Sequence, residues 1–380
     1  MRVCIVYDCL FPYTVGGAER WYRNVAESLV AEGHEVTYVT LRQWPRGAKL
    51  DVDPRVRVAV AGPRMGLYTD ARRRILPPVV FGAGVFWHLL RHGRRYDVVH
   101  TASFPYFSLL AAAALRPLKG YRLVVDWHEA WSANYWRDYL GRVGGAIGYL
   151  IQRQCMRVPQ SAFCFSRLYA QRLREGGLRG EAVVLPGQYT GPWDIPSPGD
   201  AEPVVVFAGR LIPEKRAALA VAAFAAAARQ IDGLRGEFYG DGPTRADLLA
   251  AIEEHGVGDR LSAPGFTGSD EIDRALRGAM CMLLTSRREG YGLVVVEAAA
   301  RATPSIVVLG EDNAASELIE DGVNGFIVGS SDAEAIAAAI VRVHELGLAL
   351  RESTANWFEA HARELSLAQS LRTVVETYAA

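Results

Sequence analysis

Three short clusters and one histidine carry residue types that could do chemistry. In the first cluster, the apolar run 204–208 ends on Gly209 and Arg210, and Lys215 follows five residues later. A cation directly beyond a strand end, with a second soon after, can grip a pyrophosphate from two sides, Arg as a planar fork and Lys as a point charge. The plain alternative is two surface cations beside a loop. In the second cluster, the apolar run 281–284 leads to Glu289, Gly290, Tyr291, Gly292 and Leu293, with Glu297 eight residues after Glu289. The glycines free backbone N–H groups for a ligand, and two carboxylates so spaced can accept hydrogen bonds from hydroxyls of two different groups. A helix dipole alone would favour Glu297 but leaves the Gly-Tyr-Gly run unexplained. In the third, Gly16 and Gly17 open a helix after the first strand, where free N–H groups suit a phosphate. A plain tight turn is the equal alternative, and the spacing is not that of a nicotinamide-binding loop. Finally, His128 stands just past a strand end, in Asp126-Trp127-His128-Glu129. Buried structural histidines are commoner than functional ones, so from its position alone both readings stay open. The aromatics around it (Trp127, Trp131, Tyr135, Trp136 and Tyr139) read as core ahead of an acceptor site.

The elements that must position these clusters are short β-branched runs alternating with helical patterns. In the first half, strands are expected at residues 2–7, 35–40, 56–60, 97–101, 122–126, 162–166 and 182–185, with helices at 19–32, 81–92 and 169–175. Residues 186–203, rich in Pro and Gly, read as a linker. The alternation restarts with strands at 204–208, 236–239, 260–263, 281–284 and 305–308. Helices are expected at 214–230, 244–255, 270–277, 292–301 and 332–346, and residues 351–380 read as helical throughout. This pattern predicts α/β architecture: two doubly wound, Rossmann-like domains in tandem, over residues 1–190 and 200–360, with ligands beyond the carboxyl ends of the strands. A chain of 380 residues is also too long for one ordinary core.

Composition narrows the classes further. Lys+Arg and Asp+Glu both number 42, for a net charge of zero, yet cations dominate the first half and carboxylates the second. The split suits either a first half facing something anionic or two domains attracting each other. Five cysteines without a C-x-x-C pair point away from a zinc site or disulfide framework and towards a reducing cytosol. The N-terminus runs directly into a strand, so no signal peptide is expected, and the longest apolar stretches are too short to span a bilayer. One region is both basic and apolar: Arg72, Arg73 and Arg74, then residues 75–90 with Phe81, Phe86 and Trp87, then Arg91, His92, Arg94 and Arg95. It reads either as a surface for anionic headgroups or as a buried helix with soluble ends.

Taken together, Gly16-Gly17-Ala18-Glu19-Arg20, the stretch FAGRLIPEKR at 207–216, and E-G-Y-G-L with Glu289 and Glu297 resemble the retaining glycosyltransferases of GT-B fold, in particular glycosyltransferase family 4. Pro264-Gly265-Phe266-Thr267 and the stretch 321–326 support the likeness, which covers essentially the whole chain. The resemblance implies a cleft between two domains and a C-terminal helix, about residues 362–380, packed back on the first. It implies that Arg210 and Lys215 hold the donor diphosphate, Glu297 the ribose and Glu289 the sugar hydroxyls. Gly209 and Gly290 to Leu293 would line the donor, Phe266 would meet the base, Gly16 and Gly17 the diphosphate, and His128 the sugar. The expected activity is transfer of a hexose-type sugar from a nucleotide-diphosphate donor, UDP ahead of GDP, to a hydroxyl acceptor, soluble or lipid-linked, in glycoconjugate synthesis. No enzymic nucleophile stands out, so the implied route is attack on the face the nucleotide leaves. The two cations stand in for a divalent ion, so no metal and no cofactor are expected, and no nucleic acid. A cytoplasmic protein is expected, with the inner membrane face as the peripheral alternative. Two other readings stay open: a nucleotide-sugar C2 epimerase of the same fold and a non-catalytic sugar-nucleotide sensor.

Overall fold

Runs such as residues 3–6 and Ala279–Leu284 are too short for helices and too uniformly apolar for a half-exposed strand. Both lie buried at the centres of parallel sheets, the setting that favours such runs. The structure is a computed structural model that describes residues 1–45, 47–69, 72–193 and 198–379. It divides into two compact units, Met1–Gln188 with Ala368–Ala380, and Tyr189–Leu367. Within the expected linker, residues 194–197 lie outside the described residues.

Unit 1 runs β1 (Arg2–Val6), α1 (Gly17–Ala31), β2 (Glu35–Thr40), β3 (Arg57–Val60), the two-residue hairpin strands β4 (Tyr68–Thr69) and β5 (Arg72–Arg73), α2 (Leu76–His92), β6 (Val98–Ala102), α3 (Tyr106–Lys119), β7 (Arg122–Trp127), α4 (Ala133–Met156), β8 (Ser161–Cys164), α5 (Arg167–Glu175) and β9 (Ala182–Val184). Its sheet has the order β3-β2-β1-β6-β7-β8-β9, every pairing parallel. Side chains alternate across a strand, and β6 shows which helices cover which face. His100 meets Tyr22 of α1, whereas its neighbour Thr101 points the other way, to Ser108 of α3 at 3.5 Å. On that second face α3 packs against both α2 and α4. Helix α4, which the sequence pattern did not single out, breaks at Gly141 (φ 76). Its first turns fold back so closely that a Cβ on Gly148 would stand 2.4 Å from the Trp136 ring.

Unit 2 runs β10 (Glu202–Ala208), α6 (Ala217–Ala227), β11 (Arg235–Tyr239), α7 (Arg245–Glu254), β12 (Leu261–Gly265), α8 (Ser269–Gly278), β13 (Ala279–Leu284), β14 (Arg288–Glu289), α9 (Leu293–Ala299), β15 (Ser305–Val308), β16 (Asp312–Asn313), β17 (Gly325–Val328) and α10 (Ala333–Leu365). Its six-stranded sheet has the order β12-β11-β10-β13-β15-β17. The helix expected over 351–380 is broken at Ser366, whose backbone is extended (φ −75°, ψ 140°). There the chain leaves unit 2, and α11 (Leu367–Ala379) lies almost wholly in unit 1.

Candidate active site

In an open parallel sheet the ligand crevice lies where the strand order reverses. In unit 2 that point falls between β10 and β13, and the first two clusters follow those strands directly. After β10, Gly209 donates its N–H to Tyr239 O at 3.1 Å, and Lys215 closes a 3-10 turn by donating to Ile212 O at 3.0 Å. The Lys215 chain crosses Gly209, with Nζ 3.9 Å from where a Cβ there would stand. After β13, Thr285 Oγ1 donates to Lys215 O at 2.8 Å and Arg216 Nε donates to Thr285 O at 2.7 Å, stitching the two loops together. Lys215 Nζ then ion-pairs with Glu289 Oε1, which also accepts from Ser286 Oγ at 2.6 Å.

Lys215, Glu289 and Gly209 are therefore brought together, and Ser286 joins them. Sequence reasoning missed Ser286, although its place two residues past a central strand was a usable signal. Arg210 is exposed, at the mouth of the same loop. Gly290 is half-buried and Tyr291 buried. Gly292 caps α9 with φ 99°, and a Cβ there would lie 2.5 Å from Ala315 Cβ, so the turn requires glycine. Leu293 is the first residue of α9, and Glu297 sits half-buried one turn further on. Phe266 follows the edge strand β12 with its ring largely exposed, away from the Lys215–Glu289 pair in sequence and strand order.

In unit 1 the strand order reverses between β1 and β6, and the groups beyond those strands are sealed. Asp8, fully buried, is ion-paired with Arg73 of the β4–β5 hairpin, whose guanidinium stands 4.9 Å over the Phe104 ring and whose N–H donates to Tyr139 Oη at 2.9 Å. Behind them lies a buried chain of polar groups. Trp21 Nε1 donates to Asp126 Oδ2 at 2.7 Å, Asp126 Oδ1 stands 2.7 Å from His100 Nε2, and His100 Nδ1 meets Tyr378 Oη at 2.6 Å. Burial pushes the Asp126 carboxyl up, but His100 and the other partners together hold it below its ordinary value.

His128 stands at the end of β7, stacked on Phe165 with centroids 4.6 Å apart and edge-on to Tyr22. Burial pulls its pKa down to about 4 against the attraction of Asp126, so at neutral pH the ring is uncharged. It can exchange a hydrogen bond with a neutral hydroxyl but offers no positive charge. Gly16 caps α1 without a capping side chain, and the Glu19 carboxylate folds back where a Gly16 side chain would go. Nothing stands within 4 Å of where a Gly17 Cβ would be, so its lack of a side chain leaves the helix N-terminus open.

The aromatics near His128 divide. Trp127, Tyr135 and Trp136 are buried, with Trp136 and the Trp131 backbone gathered by Gln152, while Trp131 and Tyr139 are half-buried. Among the described residues no group of three or more His, Cys, Asp or Glu could hold a metal ion. Sequence reading passed over Asp51-Val52-Asp53, the chain's one Asp-x-Asp triplet. Asp53 there is tied to Arg55 at 2.7 Å, in the loop between β2 and β3.

Residues 16–188 match the family described as "Glycosyl transferase 4-like domain", and residues 195–361 match "Glycosyl transferases group 1". Alpha-D-kanosaminyltransferase of Streptomyces kanamyceticus is 31% identical over 144 residues, which take in 38% of this chain and only 37% of that protein. D-inositol 3-phosphate glycosyltransferase of Actinosynnema mirum is 27% identical over 96% of this chain and 92% of its own. Among solved structures, Anabaena Alr3699/HepE in complex with UDP superposes with a TM-score of 0.73 over the whole of both chains at 17% identity, a likeness of fold.

Proposed function

Since the chain belongs to the family 4 glycosyltransferases of GT-B fold, we propose that it moves a hexose-type sugar from a nucleotide-diphosphate donor to a hydroxyl acceptor with retention of anomeric configuration. The observation that carries this reading is the meeting of Lys215, Glu289 and Gly209 at the strand-order reversal of unit 2. In this reading Lys215 and the exposed Arg210 neutralise the diphosphate as it departs, a preorganised electrostatic role. Glu289, held by Ser286, accepts from sugar hydroxyls, Glu297 from the ribose, and Phe266 stacks on the base. Gly290 to Leu293 give backbone N–H groups to sugar and phosphate.

Unit 1 offers Gly16 and Gly17 as a phosphate-facing turn and His128 as an uncharged partner for a sugar hydroxyl. The acceptor oxygen bonds to the anomeric carbon as the bond from that carbon to the phosphate oxygen breaks. The acceptor proton passes to the departing phosphate. With two cations serving the leaving group, the reaction needs no divalent ion. UDP is favoured as the carrier because a relative of the same fold holds it. The acceptor is carried on a lipid if unit 1 works at a bilayer and is soluble otherwise.

A ligand that binds only the folded chain raises its stability by mass action, about 2.7 kcal/mol at a hundred times Kd. A panel of UDP- and GDP-sugars, with chelator present throughout, should therefore contain at least one that raises the melting temperature. That shift should be absent in Lys215→Ala. A flat panel, or a shift that appears only on adding magnesium or manganese, would overturn the proposal or its metal-free form respectively.

A further inference from the structure

We infer that the outward side of helices α2, α3 and α4 is a docking face for anionic bilayers. Helix α2 is apolar on two sides. Phe81, Val85 and Leu89 face inward and are fully buried, so they belong to the core of unit 1. Its other side is also apolar and faces solvent: Ile75, Leu76, Val79 and Trp87, the last 54% exposed. Helix α3 packs against both α2 and α4, and these neighbours also carry large exposed apolar side chains. Leu118 at the end of α3 is 65% exposed, and Val143, Ile147 and Leu150 form an i, i+4, i+7 stripe along α4 beyond its break at Gly141. Scattered exposed apolar residues need no explanation, but large ones gathered on three neighbouring helices mark an interaction site.

The charge on this surface selects the partner. Helices α2, α3 and α4 contain a single carboxylate, Asp138. Arginines border the apolar side: exposed Arg74 before α2, exposed Arg91, Arg94 and Arg95 at its far end, and exposed Arg142 beside Val143. The Arg91 guanidinium lies over the Trp87 ring at 5.3 Å, which holds a cation against the apolar stripe. An aromatic at the edge of an apolar strip, flanked by arginines, matches a headgroup layer over acyl chains. No described helix is long and apolar enough to cross a membrane, so this face would lie on the bilayer. A second copy of the chain fits less well, because a symmetric contact would set these arginines against each other with only Asp138 to answer them.

Docking does not depend on the transferase reading, and vesicle binding measured with no donor present tests it alone. The full chain should sediment with vesicles of phosphatidylglycerol and phosphatidylcholine at low salt, stay in solution with phosphatidylcholine alone, and be released as salt rises. The double variant Trp87→Ser with Val143→Ser, changed only at exposed positions, should keep its melting temperature and lose at least tenfold in vesicle affinity, since each exposed apolar side chain contributes to interfacial binding. Arg91→Ser and Arg94→Ser should weaken binding by about fivefold each at low salt. The inference falls if the wild type stays in the supernatant at low salt, or if the double variant binds like the wild type. It also falls if the wild type is a dimer that Trp87→Ser dissociates, since the face is then an interface between copies.

Discussion

In each large sheet the first strand in chain order lies beside the fourth, β1 beside β6 and β10 beside β13, which leaves a crevice at the same topological point. What stands beyond those strands differs sharply. In unit 2 the groups are charged and part-buried or exposed: Lys215 meets Glu289 and Ser286, and Arg210 is exposed. In unit 1 the carboxylates are sealed. Asp8 and Asp126 are fully buried, each against a fixed partner, and His128 is neutral beside Phe165. Topology sets where a ligand can lie, and side-chain chemistry sets what the position does. Unit 2 carries an ion pair and an exposed arginine at its crevice, whereas the two carboxylates at that point in unit 1 are committed to partners of their own unit.

The largest expected break in this contrast is in stability. Asp126→Ala leaves Trp21 Nε1 and His100 without their shared partner inside unit 1. Removing one member of a buried pair costs about 3–5 kcal/mol. Urea unfolding followed by circular dichroism should show that loss, and a midpoint equal to the wild type would mean that the network is not structural. Arg210→Ala should do the reverse. At an exposed side chain stability should hold within about 0.5 kcal/mol, while turnover at saturating donor falls by about 100–1,000-fold, as expected for a lost stabiliser of developing charge. Near-normal turnover would move the site elsewhere.

A smaller effect concerns His128. Its pKa is lowered from 6.5 to about 4 in the folded chain. Between those values the unfolded chain therefore binds a proton that the folded chain does not. The stabilisation is complete above pH 6.5 and is lost as pH falls towards 4, by at most about 3 kcal/mol. His88, also lowered to about 4 by burial, adds a loss of the same sign. The readout is thus the difference between wild type and His128→Gln across the window. Parallel pH profiles for the two proteins would show that His128 is not held neutral.

The gathering of Gly209, Lys215 and Glu289 in unit 2 was legible in the sequence because these residues follow strands at short range. An apolar run followed by Gly209, Arg210 and Lys215, and another followed by Glu289, leave few ways to place the side chains once the runs are strands. Strand β17 was missed because it opens on Gly325, straight after a turn, and has only four residues. Helix α4 was obscured by Gly141, Gly144, Gly145 and Gly148, which suggest a loop until the fold-back on Trp136 gives the last of them a packing reason. The apolar segment 75–90 posed surface against core, and the helix answers with one side each. The buried chain from Trp21 to Tyr378 had no local signal, for His100 and Tyr378 are 278 residues apart.

That separation bears on the order in which the protein can be made. Unit 2 is one continuous stretch of chain, Tyr189–Leu367, whereas unit 1 needs residues from both sides of it. Tyr378 Oη is the partner of His100 Nδ1, Arg122 donates to the Tyr378 carbonyl at 2.7 Å, and Gly187 N–H donates to Ser370 Oγ at 3.0 Å. Domains tend to fold as they leave the ribosome, N-terminal first. Here the first-made domain must wait with His100 uncapped while the whole of the second is synthesised, and the second can be complete before the first is closed. A chain released after residue 367 would therefore hold every residue of unit 2 but lack the segment that closes unit 1.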